Sequence, residues 1–185
     1  MEDRAPEVEP GLPSPNPVGA ARRLRMAQSV YHQIRSHAES AYPEECCGAL
    51  LGLPTAEGWL VTAATPAANS CTEDPGHRYQ IDPSVLVGIE SNARSLGLEI
   101  AGFYHSHPDH GPHWSAKDLA EAHWIGCSYV ITAVVRGTAA QTLSFLLAGS
   151  LEHDKHFEPE TIEFVEDRAD ARSMSPGSST NRELG

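Results

Sequence analysis

Apolar residues recur along this chain at two periods, and together they predict alternating helices and strands. From Met26 to Ala41, Val30, Ile34 and Ala38 fall four residues apart, which predicts an amphipathic helix that Pro43 ends. CCGALLGL (46–53) is a short apolar run between turn residues, the pattern of a buried strand. WLVTAATPAAN (59–69) predicts a second strand, the turn-rich NSCTEDPGH follows it, and Tyr79–Ile81 reads as extended. Pro83 opens a helix with an apolar stripe of Val85, Leu86, Ile89 and Ala93, ending at Gly97. LEIAGFYHSH (98–107) predicts a strand, Ser115 to Ile125 a helix, and CSYVITAVV (127–135) and QTLSFLLAG (141–149) two more strands. Strands interleaved with helices at this length predict an α/β domain, a mixed sheet flanked by helical layers.

Outside these elements the pattern fails. Residues 1–20, with PEVEPGLPSPNP, are proline-rich and poor in large apolar side chains, so they cannot bury enough surface to order themselves. Residues 168–185, with SMSPGSSTNRELG, read the same way. One domain, 21–167, is left, long enough to bury most of the surface its unfolded chain exposes. No apolar run approaches the length that spans a bilayer. MEDRAPEVEP is acidic where a signal peptide is basic, so the expected location is the cytoplasm.

Charge narrows the partners. The formal net charge is -12, with four acids against Arg4 in residues 1–20 and nine acids against four bases in 150–185. An acidic chain without a Lys/Arg cluster is expected to bind neither nucleic acid nor an anionic membrane surface. The four cysteines, Cys46, Cys47, Cys71 and Cys127, form no CxxC pair. They are expected to be buried thiols rather than a structural zinc site.

The densest chemistry lies in GFYHSHPDHGPHWSAKD (102–118). His105 and His107 stand two apart at the end of a predicted strand, so both point to one face, ~6.6 Å apart along it. Ser106 points the other way, and Pro108 stops the strand. Ser115 stands three residues before Asp118, the spacing of a helix N-cap with an acid in its first turn. Taken singly, HSH reads as a polar loop and SAKD as a helix start. Taken together they supply two imidazole nitrogens and one carboxylate oxygen, a set that zinc takes in hydrolytic sites. Upstream, Glu44 and Glu45 precede the buried strand, and Glu45 abuts the apolar run, where a carboxylate without a partner or a role is costly.

The pattern of an upstream Glu, His-x-His-Pro, six residues and Ser-x-x-Asp resembles the JAMM metalloproteases, the catalytically active branch of the MPN domain. Here it is HSHPDHGPHWSAKD, and the upstream motif of the small prokaryotic members is matched by Glu45-Cys46-Cys47-Gly48-Ala49-Leu50-Leu51-Gly52. That register selects Glu45 over Glu44, and the likeness covers about 25–150. The resemblance implies a deaminase-like three-layer sandwich and one Zn2+ per chain on His105, His107 and Asp118. It also implies Glu45 as the general base that later protonates the leaving amine, and Ser115 as an oxyanion donor. His110 and His113, between the ligands, are expected to be solvated bystanders, and Asp109 a turn residue. No HExxH and no deaminase HxE…PCxxC signature is present.

Only 60 residues separate Glu45 from His105, which resembles the minimal bacterial form, whose relatives trim ubiquitin-like sulfur-carrier proteins after a Gly-Gly. The implied partner is such a carrier, its extended tail lying in a narrow groove beside a sheet edge. Two other readings remain open: an MPN-type module that binds a ubiquitin-like partner without cutting it, and a zinc hydrolase acting on a small molecule.

Overall fold

In the computed structural model, which describes residues 22–167, the chain enters on a strand. The segments expected to be disordered, 1–20 and 168–185, lie outside the described residues. β1 (Arg23–Ala27) buries Leu24 and Met26 and leads straight into α1 (Gln28–Ala41), whose buried stripe is the expected Val30, Ile34 and Ala38. β2 (Cys47–Thr55), β3 (Gly58–Ala67), α2 (Pro83–Ser95), β4 (Glu99–Pro108), α3 (Ala116–Glu121), β5 (Ser128–Val135), β6 (Thr138–Ala148) and β7 (His156–Val165) follow.

The expected mixed α/β architecture is present, and its sheet closes on itself. The strand order is β1-β3-β2-β4-β5-β6-β7, and β7 pairs back onto β1 in parallel. Two strands that the apolar pattern did not reveal, β1 and β7, make this closure. β1 is short and so mixed in character that Met26 reads as a helix start. β7 carries Glu158, Glu160 and Glu163, which hide it among the acidic residues of the carboxyl end. Tyr79–Ile81, expected to be extended, belongs to an irregular loop rather than a strand.

Each face of the sheet has its own core. α1 touches β1, β3, β4, β5 and β6, and so fills the hollow of the ring with Leu24, Met26, Leu50, Val61, Tyr104 and Val130 around it. The opposite face holds Cys47, Leu51, Ile89, Phe103, Tyr129, Ile131 and Phe157, with α2 and the residues of α3 packed against it. Cys46, Cys47 and Cys127 are buried in these cores as expected, and Cys71 is partly exposed. Where β3 and β6 part beyond short β1, α1 spans the gap. Gln33 donates to the Ala64 carbonyl, Arg35 to the Ala139 and Ala140 carbonyls, and Glu39 accepts the Ala139 N–H. α1 side chains thereby hold one backbone group on the free stretch of β3 and three on that of β6.

α3 is shorter than the helix expected over 115–125. Beyond Glu121 tertiary contacts outweigh helical continuation: the Trp124 ring packs edge-on against Phe103, its backbone N–H donates to the Tyr129 hydroxyl, and Lys155 takes the Ala120 and Ala122 carbonyls. Among the described residues no helix is long and apolar enough to cross a membrane.

Candidate metal centre

β4 and β5 run parallel, and the close approach of their backbones explains Gly102, where a Cβ would collide with the Ser128 carbonyl oxygen. Pleat alternation then carries His105 and His107 to the face of Phe103 and α3, and Ser106 to the other. Ser106 acts structurally, because its hydroxyl accepts the Cys46 N–H at 2.9 Å and so ties the start of β2 to β4. Asp118 arrives from α3 through a capping box. Ser115 Oγ accepts the Asp118 N–H at 3.1 Å, and Asp118 Oδ2 accepts the Ser115 N–H at 2.6 Å.

Three side chains meet as a result, Asp118 through both of its oxygens. The Nε2 atoms of His105 and His107 are 3.0 Å apart, His105 Nε2 is 3.5 Å from Asp118 Oδ1, and His107 Nε2 is 3.6 Å from Asp118 Oδ2. Donors held at about 2.0–2.2 Å around a tetrahedral ion stand about 3.3–3.6 Å from one another. The two histidine–carboxylate distances match that spacing and the Nε2–Nε2 distance is somewhat shorter, and His105, His107 and Asp118 form a group able to hold one small divalent cation.

The surroundings set the protonation of each of the three side chains. Burial pushes His105 down to about 3, so its imidazole is neutral. Its Nδ1 is buried with no partner among the described residues, and the ring is oriented by stacking on Tyr79, centroids 4.5 Å apart. His107 Nδ1 lies 2.9 Å from the Gly111 carbonyl, which fixes that nitrogen as a donor and turns Nε2 to the cluster; burial lowers its value, but the bonds to Asp118 and Gly111 overcome this and raise it. Burial acts to raise Asp118, but the two histidines and Ser115 overcome it and hold its carboxyl well below the usual range.

Glu45 is beside this triad but outside it. Cys47 pairs with His105 across the antiparallel β2–β4 ladder, and Glu45 lies two positions ahead of that pair, near enough to His107 and Asp118 for their charges to act on its carboxyl. It is 5% exposed, and burial raises its carboxyl to about 7, with the His107 charge opposing. Glu44 is exposed.

The family of prokaryotic homologs of the JAB domain matches residues 27–147, which include every residue of this centre. The chain belongs to that family. It is 39% identical over 113 residues to the desampylase of Haloferax volcanii, an alignment covering 59% of this chain and 79% of the relative. A solution structure of a Salinibacter ruber protein is 35% identical with a TM-score of 0.58, over 76% of this chain and 92% of that one. One from Desulfitobacterium hafniense shares the fold at 24% identity and a TM-score of 0.66, over 77% and 92%. As a JAB/JAMM protein the chain is a hydrolase.

Not every polar residue near the centre of this JAB domain joins it. His110 and His113 are exposed, and His110 Nδ1 is engaged by the Pro108 carbonyl at 2.8 Å. Asp109, at φ 55°, turns the chain and accepts from the Tyr42 hydroxyl and the Arg136 N–H. Two contributors are invisible in the sequence pattern. Tyr79 is one, since no spacing announces which aromatic will lie on a histidine from a distant strand. The other is a cavity of about 590 Å³ that opens beside Tyr79, floored by Phe103, Leu86, Trp124 and Tyr129 and rimmed by the Arg78–Glu121 ion pair.

Proposed function

We propose that this JAB domain is a zinc-dependent peptidase or isopeptidase that cuts after the C-terminal Gly-Gly of a ubiquitin-like protein of the sulfur-carrier kind. The observation that carries the reading is Glu45: a buried carboxylate with its affinity for protons raised towards neutrality, within reach of the His107 and Asp118 charges and not needed as a ligand. The desampylase relative supports a modifier linkage as substrate. The short chain between Glu45 and His105 supports the minimal carrier-trimming type.

His105, His107 and Asp118 would hold the zinc, two neutral nitrogens and one anionic oxygen leaving a fourth position open. Bound there, zinc supplies Lewis-acid polarisation of the attacking water and the scissile carbonyl. Glu45 accepts the proton of that water as its oxygen bonds to the carbonyl carbon. It then delivers the proton to the amine nitrogen as the C–N bond breaks. Ser115 Oγ already accepts from Asp118 N–H, so its own proton remains free to donate to the oxyanion. The cavity beside Tyr79, with Phe103, Leu86, Trp124 and Tyr129 in its lining, is where the carrier tail would lie.

The test is a zinc-loaded protein incubated with a carrier extended beyond its Gly-Gly, the products weighed by mass spectrometry. Cleavage after the second glycine is expected. Glu45→Gln should keep its zinc and bind the carrier while cutting at least ~10²-fold more slowly, and Glu44→Gln should cut as wild type does. Binding without any cleavage by the wild type would make this a binding module. Turnover of small amides but of no fusion would make it a small-molecule hydrolase.

A further inference from the structure

Glu45 lies just ahead of β2, so its backbone N–H and C=O have no place in the ladder and must find other partners. Both come from the loop over residues 69–81. The Glu45 N–H donates to the Pro75 carbonyl at 2.8 Å, and the Glu45 carbonyl accepts from Asn69 Nδ2 at 3.2 Å.

Asn69 uses its whole side chain in this way. Nδ2 donates a second bond to the Arg78 carbonyl at 2.8 Å, while Oδ1 accepts the Cys71 N–H at 3.0 Å and the Gln80 N–H at 3.1 Å. That exhausts the two donors and two acceptors of a carboxamide. The reverse amide orientation would set oxygen against two carbonyls and nitrogen against two N–H groups, so this one is fixed. The loop held by Asn69 supplies Cys71, Arg78, Tyr79 and Gln80 to the cavity wall, and its Tyr79 lies on His105. One partly buried side chain therefore joins the cavity wall to the backbone of the glutamate.

We infer that Asn69 is a positioning residue for catalysis: it sets the Glu45 carboxylate against the centre and couples that setting to whatever fills the cavity. The inference rests on the reading of Glu45 as the general base. Misplacing a catalytic group by about 1 Å costs on the order of 10²-fold. Asn69→Ala frees the Glu45 carbonyl and lets the loop drift, and Asn69→Asp keeps an oxygen for Cys71 and Gln80 but removes both donated bonds.

The experiment is a double-mutant cycle with the zinc-loaded full chain and a Gly-Gly carrier fusion, reading kcat, KM, zinc content and melting temperature. Asn69→Ala should keep one zinc per chain and lose about 10²-fold in kcat, with KM changed less than about threefold. In a Glu45→Gln background the same substitution should change the residual kcat less than about twofold, because residues that act through one another are not additive. If Asn69→Ala does not fold, Asn69→Asp enters the same cycle. A full loss that persists in the Glu45→Gln background, or a kcat close to wild type, overturns the inference. Wild-type cutting by Glu45→Gln alone overturns the base reading instead, and the cycle separates the two failures.

Discussion

Tyr79 lies nearly flat on His105, the ring centroids 4.5 Å apart and the planes 27° from parallel. Metal-binding histidines are commonly oriented by a hydrogen bond from the second ring nitrogen. At His105 that nitrogen is buried with no partner among the described residues, and the aromatic contact orients the ring in its place. Tyr79→Leu should therefore weaken zinc binding by about 10-fold, in the range found for lost supporting contacts. Tyr79→Phe should bind as wild type does. Competition with a chromogenic chelator measures both, and equal affinity for Leu and Tyr at position 79 would show that stacking does not hold the ring.

His107→Ala should abolish both the bound ion and cleavage, because two ligands cannot close the tetrahedron that three donors outline. Metal analysis after gel filtration checks the first effect and a fusion assay the second. A folded His105→Ala/His107→Ala protein that retains one tightly held ion would place the site elsewhere.

Ser115 carries two separable roles. As the N-cap of α3 its hydroxyl should be worth about 1 kcal/mol to stability. As an oxyanion donor it should be worth about 10²–10³ in turnover. Ser115→Ala is expected to show both losses with zinc retained. A lower melting temperature with unchanged turnover would leave only the cap.

Glu45 makes stability depend on pH in an unusual direction. Its folded value of about 7 lies above the ordinary 4.5, so between those values the folded state binds the proton and the unfolded state does not. The metal-free protein should thus lose stability as pH rises through that window, by up to about 3 kcal/mol for a shift of this size. Glu45→Gln removes the titration. Melted in chelator, the variant should gain most over wild type near pH 8 and little near pH 5. An equal gain at both would show that the carboxylate is not strained by burial.

Much of the centre was legible because its parts are local in sequence. HxH at a strand end fixes two donors by pleat alternation, and S-x-x-D at a helix start fixes the third by capping. The choice of Glu45 over Glu44 rests on the upstream motif of the resemblance; Glu45 is buried and Glu44 exposed. What could not be read depends on partners far along the chain. RLRMA alternates correctly for a strand, but only pairing with β3 and β7 keeps Met26 out of the following helix. HFEPETIEFV carries too many acids to look buried, and it is a strand because β6 and β1 flank it. α3 stops early because Trp124 prefers Phe103 to another helical turn.

The helix that bridges β3 and β6 has a consequence for selectivity. An enzyme for extended tails is exposed to a competing outcome, in which the tail adds to the enzyme as one more strand and is stored rather than cut. Gln33, Arg35 and Glu39 already hold backbone groups of Ala64, Ala139 and Ala140 that such an addition would use.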